Sequence, residues 1–215
     1  SYIKNLKFKM SKIKKKLIIL DLDGVLINSR SNMKTALNLT AEKLKIKLPF
    51  NIYKKFLGLP FEKILYKMNI KKDFKKIKLN YEKFSFRFIK KIKIEKKKIK
   101  DLKNLSKLFY IAVFTSKSKL RTNAILHKYN FFDYCITADD VKFGKPNPEG
   151  LNKIKKQFKL NSKDCIFIGD SIYDYKASKA SKILYLHAKW GYEQNYYPKK
   201  IKTIKNLFEI KKFLI

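Results

Sequence analysis

Cysteine is nearly absent. Cys135 and Cys165 stand thirty positions apart in apolar surroundings. They show no metal-ligand spacing and demand no disulfide, so a stapled secreted scaffold is excluded and a reducing compartment is the default. Both read as small core residues. Long apolar runs are missing as well, and nothing approaches the ~20 residues of a membrane span. The Lys-rich start followed by Leu17 to Leu20 imitates a signal peptide, but Asp21 cuts the apolar run at four residues. The expectation is a soluble, cytoplasmic protein. Residues 1–9, ahead of Met10, read as an upstream extension or a basic arm.

Acidic residues are few, 17 Asp and Glu against 53 Lys and Arg, for a formal net charge of +36. One reading is a binder of nucleic acid or another anionic surface. The other is a genome-wide bias toward A/T-rich codons, which favours Lys, Asn and Ile. Arginine is confined to Arg30, Arg87 and Arg121, whereas a dedicated phosphate reader leans on the bidentate arginine fork. The lysines are spread along the whole chain instead of forming one patch. Codon bias is the preferred account, and nucleic acid is not the expected partner.

What is present is enough for a core: 215 residues, 45% of them hydrophobic, fit one large domain with a modest insert. The stretch Leu17-Ile18-Ile19-Leu20-Asp21-Leu22-Asp23-Gly24 organises the rest. A short apolar run fits a strand buried on both faces. It runs from Lys12 to Leu20 and ends in two carboxylates, which a buried strand avoids unless they have work to do. Gly24 frees the backbone for a turn.

From residue 30 to about 97 no good strand is evident. Helices are expected over Met33–Leu48, Phe50–Leu57, Phe61–Met68 and Lys75–Ile92, with Tyr81, Phe84, Phe86 and Phe88 as their core and Gly58-Leu59-Pro60 as a tight loop. Then α/β texture returns. Strands are expected at Tyr110–Phe114, Tyr134–Thr137, Asp164–Ile168 and Ile183–Leu186. Helices are expected over Ile99–Leu108, Leu120–Tyr129, Pro148–Phe158, Ile172–Ser181 and Ile204–Leu214. Alternation of this kind argues a doubly wound parallel sheet with an inserted α-helical cap. The expected division is core at 1–29 and 98–215, cap at 30–97.

Three apolar strands end in polar groups: Asp21 and Asp23, Thr115 and Ser116, Gly169 and Asp170. In a parallel sheet those ends share one edge. Four carboxylates, Asp21, Asp23, Asp170 and Asp174, would gather there. Two like charges about 4 Å apart repel by roughly 4 kcal/mol at an effective dielectric near 20. A hard divalent cation such as Mg²⁺ relieves that repulsion. Lys145 follows a glycine in a turn and can bring a positive charge to the same edge. A metal, a lysine, hydroxyls and a carboxylate nucleophile suit phosphoryl transfer through an aspartyl-phosphate.

With these residues in hand, the sequence resembles the haloacid dehalogenase superfamily of phosphotransferases, whose four motifs occur in order: Asp21-Leu22-Asp23-Gly24-Val25, Thr115-Ser116, Lys145 in Gly144-Lys145-Pro146, and Gly169-Asp170-Ser171-Ile172-Tyr173-Asp174. Trp190-Gly191-Tyr192 is similar to phosphoglycolate phosphatase-like members. The resemblance implies a Rossmann-like core with a helical cap whose Gly58-Leu59-Pro60 loop faces the substrate. It implies Asp21 as nucleophile and metal ligand. Asp23 becomes general acid and base, with its carbonyl on the metal. Thr115 and Lys145 hold phosphoryl oxygens, helped by amides near Leu22 and Ser116. Asp170 binds Mg²⁺, and Asp174 orients water or Lys145 from behind. The chain departs from the pattern at Asn28-Ser29, where an acidic residue is common.

The implied function is a Mg²⁺-dependent phosphatase acting on a small phosphorylated metabolite, as a monomer or small homo-oligomer. The alternatives are a sugar-phosphate mutase of β-phosphoglucomutase type and, further off, a basic surface-binding protein with a vestigial site. His127 and His187 read as structural, and Asp139 and Asp140 as a turn or helix cap.

Overall fold

The structure, a computed structural model, describes residues 15–193 and 201–213. Six parallel strands form one sheet in the order β3-β2-β1-β4-β5-β6. They are β1 Leu17–Leu20, β2 Tyr110–Phe114, β3 Tyr134–Ile136, β4 Cys165–Gly169, β5 Leu184–Ala188 and β6 Thr203–Ile204. All four residues of β1 are fully buried. Ile18 and Leu20 join the apolar layer on one face of the sheet, Leu17 and Ile19 the layer on the other, because side chains alternate across a strand. This is why the run is apolar throughout instead of alternating.

Chain order reverses between β1 and β4, and such switch points open a crevice at the carboxyl ends of the strands. The register places those ends side by side: Leu20 pairs with Val113 of β2 and with Ile168 of β4. Asp21, Thr115 and Asp170 therefore emerge at one edge, and the Asp21 amide still donates to the Ile168 carbonyl at 2.9 Å.

Between β1 and β2 lie helices α1 Arg30–Leu44, α2 Phe50–Tyr53, α3 Phe61–Lys67 and α4 Phe74–Arg87, then α5 Lys96–Ser106. Helices α1 to α4 build an apolar cluster of their own around Met33, Leu37, Ile64, Leu65, Ile77 and Tyr81. The rings of Phe61 and Tyr81 stack there at 4.4 Å. After β2 come α6 Lys119–Leu126, α7 Glu149–Gln157 and α8 Ile172–Ala180.

Several expectations need correction. Of the aromatics on α4, only Tyr81 is fully buried; Phe86 points to solvent at 40% exposure. That helix ends at Arg87, and Ile89–Lys91 continues as a 3₁₀ turn whose Ile89 packs into the sheet's apolar layer. The stretch Phe50–Leu57 is a single α turn followed by a 3₁₀ turn over Lys54–Phe56. The first strand begins at Leu17, and positions 12–14 of the expected strand lie outside the described residues, as do residues 1–9. The expected final helix from Ile204 does not form. Thr203 and Ile204 pair with His187 and Ala188 as an edge strand, and a 3₁₀ helix over Leu207–Phe213 follows. Asp139 and Asp140 do form a capped turn, in which Thr137 and Asp140 satisfy each other's backbone amides. Among the described residues no helix is long and apolar enough to cross a membrane.

Candidate active site

The turn after β1 is closed by backbone bonds from the Leu26 and Ile27 amides to the Leu22 carbonyl, both 3.0 Å. Gly24 adopts φ +88°, and a Cβ there would stand 2.0 Å from a carboxylate oxygen of Asp170. Glycine at this position lets two strand ends bring their carboxylates together. One oxygen of Asp21, Oδ1, accepts from the Leu22 amide at 2.7 Å and from Lys145 Nζ at 2.7 Å.

Lys145 is wholly buried. Its ammonium bridges Asp21 and Asp174, 2.7 Å from each, and lies over the faces of Phe114 and Phe167. Burial works against its charge, but Asp174 and Asp21 more than reverse that and hold its pKa above the ordinary lysine value. Asp174 is fixed from behind. Ser171 caps α8, and Asp174 Oδ2 accepts from the Ser171 amide at 3.1 Å and the Ser171 hydroxyl at 2.6 Å. The capping box of a helix thus aims a carboxylate at Lys145.

Asp21, Asp170 and Asp174 are all buried, with carboxylate oxygens within 4.8 Å of one another. Burial pushes Asp21 up to about 7; Lys145 pulls it down, and the Asp174 charge adds to the rise. Asp170 is raised well above the usual carboxylate range by burial, then by Asp21 and Asp174. Three buried carboxylates against one lysine leave negative charge uncompensated, and their all-oxygen donor set fits a hard divalent cation.

The fourth expected member departs from the cluster. Asp23 turns its carboxylate to Lys117 Nζ at 3.1 Å and accepts from the Ser29 hydroxyl. Ser29 is itself held through its amide by the Tyr192 hydroxyl at 2.7 Å. His127 and His187 stay outside the acidic group. His187 is buried between the Tyr185 hydroxyl and the Glu193 carbonyl.

A cavity of about 50 Å³ opens onto Asp21, Asp23, Thr115, Ser116, Lys145 and Asp170. The helical segment covers it. Gly58 and Leu59 line it, and the Ser116 hydroxyl donates to the Gly58 carbonyl at 2.8 Å. Pro60 packs instead over Gly144, where a Cβ would meet its ring at 2.6 Å. The Leu22 amide is engaged by Asp21. Residues outside the expected set also line the cavity: Lys117, Arg121, Tyr53, Tyr81, Tyr192 and Glu193. Lys117 was within reach of sequence reasoning, two positions beyond Thr115 in the same turn. Arg121 carried a subtler mark, as one of three arginines in a chain that otherwise uses lysine.

A buried carboxylate oriented by a lysine, an acidic cation site beside it and a second carboxylate across the turn form the equipment for displacement at phosphorus. Fold and site together define a phosphoric monoester hydrolase, a phosphatase built on a parallel α/β sheet. Residues 18–188 match the haloacid dehalogenase-like hydrolase family, and the chain belongs to that family. A phosphoglycolate phosphatase of Nitrosospira multiformis is 22% identical over 193 residues, 83% of this chain and 85% of its own length. A phosphoglycolate phosphatase of Colwellia psychrerythraea is 32% identical over 87 residues, 39% of this chain and 38% of its own. In fold, the chain is similar to a haloacid dehalogenase-like family hydrolase from Streptococcus pneumoniae, with TM-score 0.78, 20% identity, and coverage of 94% of this chain and 99% of that one.

Proposed function

We propose that the protein is a Mg²⁺-dependent phosphatase that hydrolyses a small phosphorylated metabolite through an aspartyl-phosphate on Asp21, with residues 30–97 as the cap. One observation carries this reading: both hydrogen bonds to the Asp21 carboxylate fall on Oδ1, from Leu22 and Lys145, which leaves Oδ2 to act as nucleophile. Asp21 and Asp170 would hold the cation, with the Asp23 carbonyl. Asp174 is committed to Lys145 and to the start of α8. When bound, the cation supplies positive charge against the phosphoryl oxygens and the two carboxylates.

The chain's own groups do the rest. Lys145 and Thr115 hold the phosphoryl group in line with Asp21. Asp21 Oδ2 bonds to phosphorus as the ester oxygen leaves, and Asp23 gives that oxygen its proton. Asp23 then takes a proton from the water that attacks the phosphoaspartate, releasing phosphate and restoring Asp21. The cap closes the cavity to bulk water. Both curated relatives are phosphoglycolate phosphatases, so 2-phosphoglycolate is the first candidate substrate.

The test is hydrolysis of p-nitrophenyl phosphate with and without Mg²⁺, beside a panel containing 2-phosphoglycolate and hexose phosphates. Asp21→Asn is expected to lower turnover by at least about 10³-fold while the protein melts as a folded unit. Turnover that survives in Asp21→Asn, or that ignores Mg²⁺, overturns the reading.

A further inference from the structure

Arg121 lies on α6, only 5% exposed, and lines the same cavity as Asp21. Its Nε and Nη2 have no hydrogen-bond partner among the described residues. Its guanidinium lies over the ring of Tyr81, 5.1 Å from the centroid, so it sits at the cap side of the cavity. Lys117 shares that region and is paired with Asp23. Burial and the neighbouring Arg121 charge bring Lys117 down to about 8. Burial opposes the Arg121 charge, and Tyr81 and Asp23 outweigh it through space, but Asp23 is paired directly with Lys117 and no carboxylate among the described residues pairs directly with Arg121. Buried donors without partners ask for an explanation, and in a cavity the simplest is a ligand that supplies the acceptors. A guanidinium is suited to this because its fork matches the two oxygens of a carboxylate or the edge of a phosphate.

We infer that Arg121 is a specificity-determining residue that binds a second anionic group of the substrate, so that the preferred substrates are small phosphate esters carrying a carboxylate or a second phosphate at the far end from Lys145. The inference rests on the phosphatase reading for its substrate, but the anion site itself follows from Arg121 alone. The ring of Tyr81 makes Arg121 a bridge between α6 and the helical segment, so a substrate with a second anionic group joins the two sides of the cavity. A neutral tail leaves Arg121 unsatisfied, and a site with buried unpaired donors rejects such ligands strongly.

Binding of unhydrolysable phosphonates separates this inference from the phosphatase reading, because it needs no turnover. The Mg²⁺-loaded protein is titrated calorimetrically with 3-phosphonopropionate, propylphosphonate and propane-1,3-bisphosphonate. The first or third is expected to bind at least 30-fold more tightly than propylphosphonate; which of them leads identifies the second anion as carboxylate or phosphate. Arg121→Met is expected to bring that ratio close to one, by weakening the two ligands that carry a second anionic group and leaving propylphosphonate bound at least as tightly as in the native protein. Arg121→Lys is expected to keep part of the preference. Equal affinities in the native protein overturn the inference, as does a preference that survives in Arg121→Met. Equal weakening of all three ligands in both variants reduces Arg121 to a structural contact of Tyr81 and also overturns it.

Discussion

At the sheet edge, Lys145 is enclosed by two carboxylates, each 2.7 Å away; at the cap side of the same cavity, Arg121 keeps two nitrogens without partners. Both cations are buried and both lie against aromatic faces. The difference is what each is waiting for. Lys145 has its counter-charges built in from Asp21 in the turn after β1 and Asp174 in the first turn of α8, so this end is organised before any ligand arrives. Arg121 has no direct ion pair among the described residues, and on the inference above its end of the cavity is completed by the ligand. On the readings proposed above, chemistry and choice of substrate fall to different ends of one cavity.

The comparison breaks most severely at Lys145. Lys145→Met removes one partner of a buried ion network and leaves Asp21 and Asp174 facing each other with no cation between them. Removing one partner from such a pair costs about 3–5 kcal/mol, and loss of a positioned charge at the phosphoryl group costs about 10²–10³-fold in kcat. Chemical denaturation and steady-state kinetics read both. By contrast, Arg121→Met is expected to cost less stability: burial opposes the Arg121 charge and Tyr81 and Asp23 outweigh it, but through space, with no direct ion pair among the described residues.

A second test uses pH. Burial holds Asp21 up at about 7, and Asp170 is raised well above its ordinary value. The folded pKa of Asp21 exceeds the unfolded value of 3.8, so the metal-free fold binds the proton more tightly than the unfolded chain does. The Asp21 contribution to stability is therefore fully present below about pH 4 and is lost as pH rises through about 7. Asp21→Asn is expected to flatten that decline in EDTA, seen as a smaller fall in Tm between pH 5 and pH 8 than in the native protein. Mg²⁺ competes with the same protons, so the Tm rise it causes is expected to be larger at pH 8 than at pH 5. A native slope identical to that of Asp21→Asn would refute the account of a charge-strained edge.

Much of that edge is readable from residue order. An apolar run that ends in Asp21, and another that ends in Gly169-Asp170, can only share a site if the strands are parallel, and the register makes them neighbours. Lys145 is legible as a cation in a turn, but not its depth, which comes from Phe114 and Phe167 closing over it. The partner of Asp23 is not legible, because it depends on where the turn after β2 carries Lys117, a contact across 94 positions that no local pattern encodes. Ile204 shows the same limit. Its apolar spacing suits a helix, yet pairing with Ala188 at the sheet edge decides its conformation. Residue type alone places Phe86 in the helical core, whereas burial on α4 depends on which face meets α1. The phase of that helix leaves Phe86 outside.

The finest test asks whether the two ends act independently. The Ser116 hydroxyl donates to the Gly58 carbonyl, tying the turn after β2 to the loop that covers the cavity. Ser116→Ala removes that bond and leaves a carbonyl that water can reach on opening, so the expected stability loss is about 1 kcal/mol or less. Its kinetic effect should fall on KM, by a few-fold, because the loop closes less firmly over every substrate alike. The preference for a second anion should not move, since Arg121 is anchored on α6 and against Tyr81 instead of on the loop. Measured as the ratio of kcat/KM for 2-phosphoglycolate to that for 2-hydroxyethyl phosphate, an unchanged ratio in Ser116→Ala keeps closure and selection separate. A ratio that falls along with KM would mean that Arg121 reaches its anion only through the closed loop, and the division between a prepared end and a waiting end would have to be redrawn as one coupled closure.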